Sequence, residues 1–315
     1  MKNKGLTITL ITILSLIGIG LITVMILVMT GKIDFSFDWG SNKNMKLVDS
    51  YEAKVEEINK IDFTLYSTDV EVKESSNEFI KVEYYSNKKK NADIKQEGNT
   101  IVVNEEETGN YCIGICFNNR KLVVYVPKTY NGLYKINTKS GDIRFDVDAS
   151  LNNIEIETTS GDVNFVNAND IDIETTSGDV KGGVANKTKI YSTSGDIKIK
   201  ECKDTSDIKT TSGDIYVGAV AKIVIKSTSG DIKLDKVTKS MNLKTVSGDV
   251  TVGTLAMTEN SNVNTTSGDV TITNNESNCY VDFDSTSGDE TVSHSDRKSD
   301  LTLKVETTSG DLTVY

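Results

Sequence analysis

Only one histidine, His294, occurs in 315 residues, with a single proline, Pro127, and a single tryptophan, Trp39. One imidazole nearly excludes chemistry that needs several of them, including histidine-rich zinc centres. No Gly-x-Ser-x-Gly elbow, His-Glu-x-x-His pair or phosphate-binding glycine loop occurs. Positive charge is also in short supply: 35 Lys and Arg against 46 Asp and Glu leave a net charge of −11. That balance lacks the basic footprint of general nucleic-acid binding. The 4 cysteines find no histidine support for a zinc site. Cys112 and Cys116 are close enough in sequence to form a disulfide across a turn, with a pair of free thiols as the alternative.

Leu6–Met29 contains no charged residue and is rich in Leu, Ile and Val. It is long enough to cross a hydrocarbon core of about 30 Å as a helix. Lys2 and Lys4 precede it, and Lys32 is mixed with Asp34 and Asp38 behind it. The positive-inside rule then predicts a cytoplasmic N-terminus and an external body, with Phe35, Phe37 and Trp39 as interfacial anchors. The expected organisation is a cytoplasmic start and signal anchor over 1–31 and a juxtamembrane linker over 32–46. A capping β region over 47–134 and a regular repeat over 135–315 would follow. The expected location is the cell membrane, single-pass, with the bulk outside.

The repeat is the dominant feature. Ser-Gly-Asp recurs ten times, as Gly141-Asp142, Gly161-Asp162, Gly178-Asp179, Gly195-Asp196, Gly213-Asp214, Gly230-Asp231, Gly248-Asp249, Gly268-Asp269, Gly288-Asp289 and Gly310-Asp311, each after a serine. The spacing of 17–22 residues is too short for a propeller blade and suits one coil of a β-solenoid. Five residues before each Gly the chain is always apolar, from Ile136 to Val305, and two after it nine positions of ten are apolar, Glu290 being the exception. The intervening alternation predicts two half-buried strands joined at each kernel. The third residue before Gly is always Thr or Ser and faces inward by parity, placed to bond backbone groups at the corner. Gly would permit the bend and Asp would accept from nearby N–H groups.

An antiparallel meander would leave one broad apolar face uncovered. A parallel solenoid buries that face against its own opposite wall. The expected fold is therefore all-β: a parallel β-solenoid of about ten coils, with an N-terminal transmembrane helix. "LYSTDVEV" at Leu65–Val72 reads as a decayed kernel keeping Ser67 and Asp69, and "FIKVEYY", "TIVVNEE" and "KLVVYVP" read as strands. The stretch Lys88–Lys90 reads as an exposed loop. Cys202 and Cys279 fall four coils apart, too far to bridge. After "DLTVY" the last coil would present an open sheet edge at Tyr315.

The anchor, the "KLVVYVP" strand and the "INTKSGDIRF", "IETTSGDVNF" series resemble the bacterial putative-adhesin β-solenoid family. This family is a domain of unknown function with members tied to cell-envelope stress systems. The resemblance implies a surface-exposed β-solenoid and supplies no catalytic residues. The expected function is thus an adhesin-like binding or structural role at the envelope. A regulatory or sensory partner in envelope-stress signalling is the alternative, and a polysaccharide-active enzyme a distant third.

The aspartate column reads as structural, and calcium shared between carboxylates is its sharper alternative. Glu157 and Glu174 share an outward column that continues as Tyr191, Lys209, Lys226 and Lys244, so it reads as a solvated face rather than a catalytic wall. Lys209, Lys226 and Lys244 on one wall, with Lys181, Lys198 and Lys233 on the next, could attract anionic wall polymer. Equally, they could discourage sheet-to-sheet aggregation. No cofactor and no catalytic residue is expected; an envelope protein is the other partner considered.

Overall fold

The computed structural model describes residues 45–87, 92–106 and 120–315. The membrane-anchor segment, Lys88–Lys90, Cys112 and Cys116 lie outside the described residues. The stretch Lys46–Glu106 with Arg120–Tyr315 forms one compact unit.

That unit is a parallel β-solenoid whose ten kernels delimit about nine turns. Strand Asn153–Thr158 pairs in parallel with Leu133–Thr138 on one side and with Val163–Ser177 on the other. The register is in phase: Ile136, Ile156, Ile173, Ile190, Ile208 and Ile225 stack in order. An apolar residue recurs at one place in each coil, so stacking in register fuses these residues into one continuous core column. Nine of the ten residues five before Gly are buried, as are nine of the ten two after it; Phe283 and Glu290 are the exceptions.

In the middle coils the two strands of a turn run on through the far corner, as in Val180–Ser194 and Ile197–Thr210. Variation in coil length is absorbed there: the register slips between Ala185 and Thr188, and again between Cys202 and Thr205. The kernel corner stays fixed. Four residues after the kernel Gly, where Gly182 stacks between Phe165 and Ile199, the Phe165 ring of the previous turn occupies the space a side chain would need. Tyr130, Tyr134 and Phe145 form an edge-to-face cluster near the first coils, with centroids 5.3 and 5.1 Å apart.

At both ends the spatial order departs from the sequence order. Near the start, Lys60–Thr64 and Asp69–Ser75 form a first turn that pairs in parallel with Leu133–Thr138 and Ile143–Ala149. Its outer side is covered by Thr100–Glu105 and Arg120–Pro127, also in parallel. Antiparallel strands then close the stack: Ala92–Glu97 on Thr100–Glu105, Phe79–Ser86 on Arg120–Pro127, and Lys46–Lys54 on Phe79–Ser86. Reversing strand direction ends the parallel stack.

The other end corrects a sequence expectation. Tyr315 does not follow an edge strand. Thr302–Ser309 and Leu312–Val314 lie between the turn of Gly268 and the turn of Gly288, paired in parallel on both sides. The outermost turn is Tyr280–Ser287 with Glu290–Val292, laid down earlier in the chain. This explains both exceptions in the apolar columns, because Phe283 and Glu290 belong to a coil with only one neighbour. The outermost turn is also partly roofed: Ser295 Oγ accepts the Val281 N–H at 2.9 Å, and the Asp296 N–H donates to Cys279 O at 2.9 Å. Its exposed edge carries Asp284, Asp289 and Glu290, charges that discourage pairing with another chain.

Candidate functional site

The kernels build a continuous corner. The backbone N–H of each aspartate donates to the carboxylate of the aspartate in the turn below, as from Asp162 to Asp142 Oδ1 at 3.0 Å and from Asp249 to Asp231 Oδ1 at 2.9 Å. Ten such bonds link Asp69, Asp142, Asp162, Asp179, Asp196, Asp214, Asp231, Asp249, Asp269, Asp311 and Asp289 in that spatial order. The main chain clasps in the opposite sense: the Ile232 N–H donates to Asp249 O at 2.9 Å. The aspartate thus accepts across the gap between turns, not within its own corner. The bond from Asp196 holds the Asp179 carboxyl below the usual range, whereas burial raises that of Asp69.

Close approach, more than backbone freedom, explains the glycine. A Cβ on Gly141, whose φ is ordinary, would overlap Thr68 O; on Gly213 (φ +118°) it would overlap Gly195 O. In the first turn Thr68 occupies the glycine place, and no kernel lies below it. There the Glu105 carboxylate substitutes for a turn: Oε2 accepts from Tyr66 N at 2.7 Å and Thr68 Oγ1 at 2.9 Å, and Oε1 is bonded by Arg120. This buried capping pair was missed at the sequence level, because Glu105 and Arg120 flank a gap in the strand pattern and match no repeat position.

Two kinds of corner occur along the rod, one in a central block and the other on either side of it. Where φ at the kernel Gly is +109° to +119°, at Gly195, Gly213, Gly230 and Gly248, the inward hydroxyl three residues earlier donates to the serine carbonyl one before Gly. At the other six, the hydroxyls of Thr138, Thr158, Thr175, Thr265, Ser285 and Thr307 are buried without a hydrogen bond. The expected inward bonding therefore holds in the four central corners only.

Outside the core, one wall carries a groove of about 770 Å³. It runs over five successive levels, from Tyr66 through Lys139, Thr159 and Thr176 to Tyr191, with Glu157 and Glu174 along one bank. Lys139 Nζ lies 4.0 Å from the Tyr66 ring centroid, and Lys209 Nζ lies 4.2 Å from that of Tyr191 while donating to its hydroxyl at 2.7 Å. That bond keeps the Lys209 ammonium above its ordinary pKa; Asp172 does the same for Lys189 at 2.9 Å.

Directly beyond the groove, Lys209, Lys226 and Lys244 stand in register on consecutive turns. Lys226 and Lys244 are exposed and form no ion pair among the described residues. The other three lysines do not form a comparable strip. Lys181 is paired with Asp179 at 3.2 Å, and Tyr216 separates Lys198 from Lys233. Cys202 and Cys279 are free and buried.

A chain of short, in-phase parallel turns clasped at a Ser-Gly-Asp corner defines a β-solenoid repeat protein. The chain belongs to the Toastrack DUF4097 family, whose pattern matches residues 58–235 and 218–315. Similar solved structures are putative adhesins. One from Bacteroides fragilis is 12% identical, with 87% of this chain and 98% of that one covered, at a TM-score of 0.38. One from Parabacteroides distasonis is 12% identical, covering 84% and 96%, at 0.44. A putative cell adhesion protein from Clostridium sporogenes is 8% identical, covering 86% and 98%, at 0.28. No curated protein matches the chain.

Proposed function

We propose that the protein is a binding module of the bacterial cell envelope, held at the membrane by Leu6–Met29 with its solenoid outside, and that it binds anionic wall polymer without transforming it. The observation that supports this reading is the in-register ladder Lys209–Lys226–Lys244. Like charges directly opposite on neighbouring strands are unfavourable. At about 4.8 Å each adjacent pair repels by about 0.9 kcal/mol in water. Phosphate or carboxylate groups repeating along a polymer would relieve that repulsion on three turns at once. Electrostatic binding of this kind is sensitive to salt.

The test is sedimentation of the full-length protein with purified cell walls at increasing salt. Lys226→Gln with Lys244→Gln should weaken the salt-sensitive part of binding several-fold while the melting temperature holds or rises. Wall binding that is unchanged by the double substitution and indifferent to salt sinks the proposal.

A further inference from the structure

We propose that Glu290 and Phe283 decide which of the last two turns ends the rod, and that their choice keeps a second copy of the chain from adding to that end. The inference is independent of the wall-polymer reading.

The kernels do not make this choice. The Asp289 N–H donates to Asp311 and the Asp311 N–H to Asp269, and stacking the two turns in chain order would form the same number of such bonds. Chain reach does not make it either. Gly268 follows Gly248 by 20 residues and its turn stacks directly on the earlier one; Gly288 follows Gly268 by the same 20. The Tyr315 N–H donates to Ile272 O at 3.0 Å and its carbonyl accepts from Asn275 N at 2.7 Å, but either turn laid along Val270–Asn275 would pair these main-chain groups.

The inward columns do distinguish the two orders. Glu290 is in register with Leu312, which is in register with Val270. Stacked in chain order, Glu290 would lie between Val270 and Leu312, and a charge buried among aliphatic side chains without a partner is strongly unfavourable. In the outermost turn the same residue is exposed. Phe283 is in register with Val305 and, through it, with Val263. Between two valines its ring would overfill a column built elsewhere from Ile, Leu and Val. Leu303, Val305, Leu312 and Val314, by contrast, are fully buried in the interposed turn, and chain order would uncover one side of each.

The two orders also leave different ends. The observed end shows Glu290 beside Asp284 and Asp289, all exposed. Chain order would instead end the rod in an open strand edge over Leu303, Val305, Leu312 and Val314, with no inward charge. A second copy presenting the same edge could pair with it about a two-fold axis and bury both.

The experiment uses full-length chains with cysteine pairs at the exposed serines before the kernel glycines. Ser267 and Ser309 are in register one step apart, about 4.8 Å, within disulfide reach. Ser267 and Ser287 are two steps apart, about 10 Å, beyond it. Oxidation in detergent, with bridges mapped by peptide mass, should link the Ser267→Cys, Ser309→Cys pair and spare the Ser267→Cys, Ser287→Cys pair. Adding Phe283→Val with Glu290→Val should invert that preference at least tenfold, and light scattering should show the protein mass rising toward twice the parent's. Exchanging the residues between turns, with Phe283→Val, Val305→Phe, Glu290→Leu and Leu312→Glu, keeps the composition. It should invert the linkage with no rise in mass, because a carboxylate again ends the rod. Should the first variant lose its cooperative melt, the exchange variant decides the order. Persistence of the parent linkage in the folded variants overturns the proposal, and so does an inverted linkage in the first variant at the parent's mass.

Discussion

Asp231 sits mid-rod, and its replacement separates two roles that the aspartate column could serve. Its Oδ1 accepts the Asp249 N–H at 2.9 Å, and its own N–H donates to Asp214 Oδ1 at 2.9 Å. A hydrogen bond to a charged acceptor contributes about 1.5–3 kcal/mol, and a neutral one about 1. Against this, each carboxylate faces two like neighbours about 4.8 Å away, at about 0.9 kcal/mol apiece in water. Asp231→Ala loses the bond and relieves the repulsion, so the net loss should be small, about 1 kcal/mol. Asp231→Asn keeps a carbonyl acceptor and also relieves the repulsion, so its stability should equal or slightly exceed that of the parent. In 1 M salt, where screening acts over about 3 Å, that advantage should vanish. Urea unfolding at low and high salt measures both, since the side chain is exposed and the fold need not repack. A loss of 2 kcal/mol or more for Asp231→Asn, abolished when a chelator destabilises the parent equally, would refute the reasoning. It would show that the column works by sharing calcium.

Three further outcomes are expected. Glu105→Ala, which removes the buried carboxylate bonded by Arg120 and uncovers the Tyr66 and Thr68 donors, should cost about 3–5 kcal/mol in denaturant unfolding; a loss below 1 would mean that the cap closes by other contacts. Gly213→Ala, which meets both a left-handed φ and the Gly195 carbonyl, should cost about 2–4 kcal/mol. By contrast, Gly98→Ala, at φ +59° with open space around it, should cost only about 1. For pH, the Asp179 carboxyl is depressed in the fold, so its contribution is present above the ordinary carboxylate range and is lost as pH falls through the lowered value. Asp179→Asn should therefore flatten the acid limb of the stability profile, whereas Asp69→Asn should act in the opposite sense, because burial raises that carboxyl; identical acid limbs would contradict the linkage.

The repeat made the solenoid legible because a residue that recurs once per turn must stack on its own copies. Ile156 above Ile136 and Lys226 above Lys209 follow from spacing alone. The groove was only half legible. Glu157, Glu174 and Tyr191 share a visible column, but Tyr66 joins them from outside the regular repeat, through the decayed kernel beside Thr68. The direction of the aspartate bonds was hidden for another reason. A carboxylate can reach its own corner or the next, and only the gap between turns decides. The order of the last two coils could not be read from the kernels, since those of Gly288 and Gly310 carry the same three residues. Glu290 and Phe283 were the local signs that the Gly288 turn lies outermost.

The interposed strands near Tyr315 bear on how the rod responds to force. A tension applied at that residue does not meet an edge strand that can be unzipped one hydrogen bond at a time. It pulls on Leu312–Val314 and Thr302–Ser309, each held by ladders on both flanks. Several bonds must slide together before the strand comes free. For a load applied at that end, the geometry converts peeling into shear.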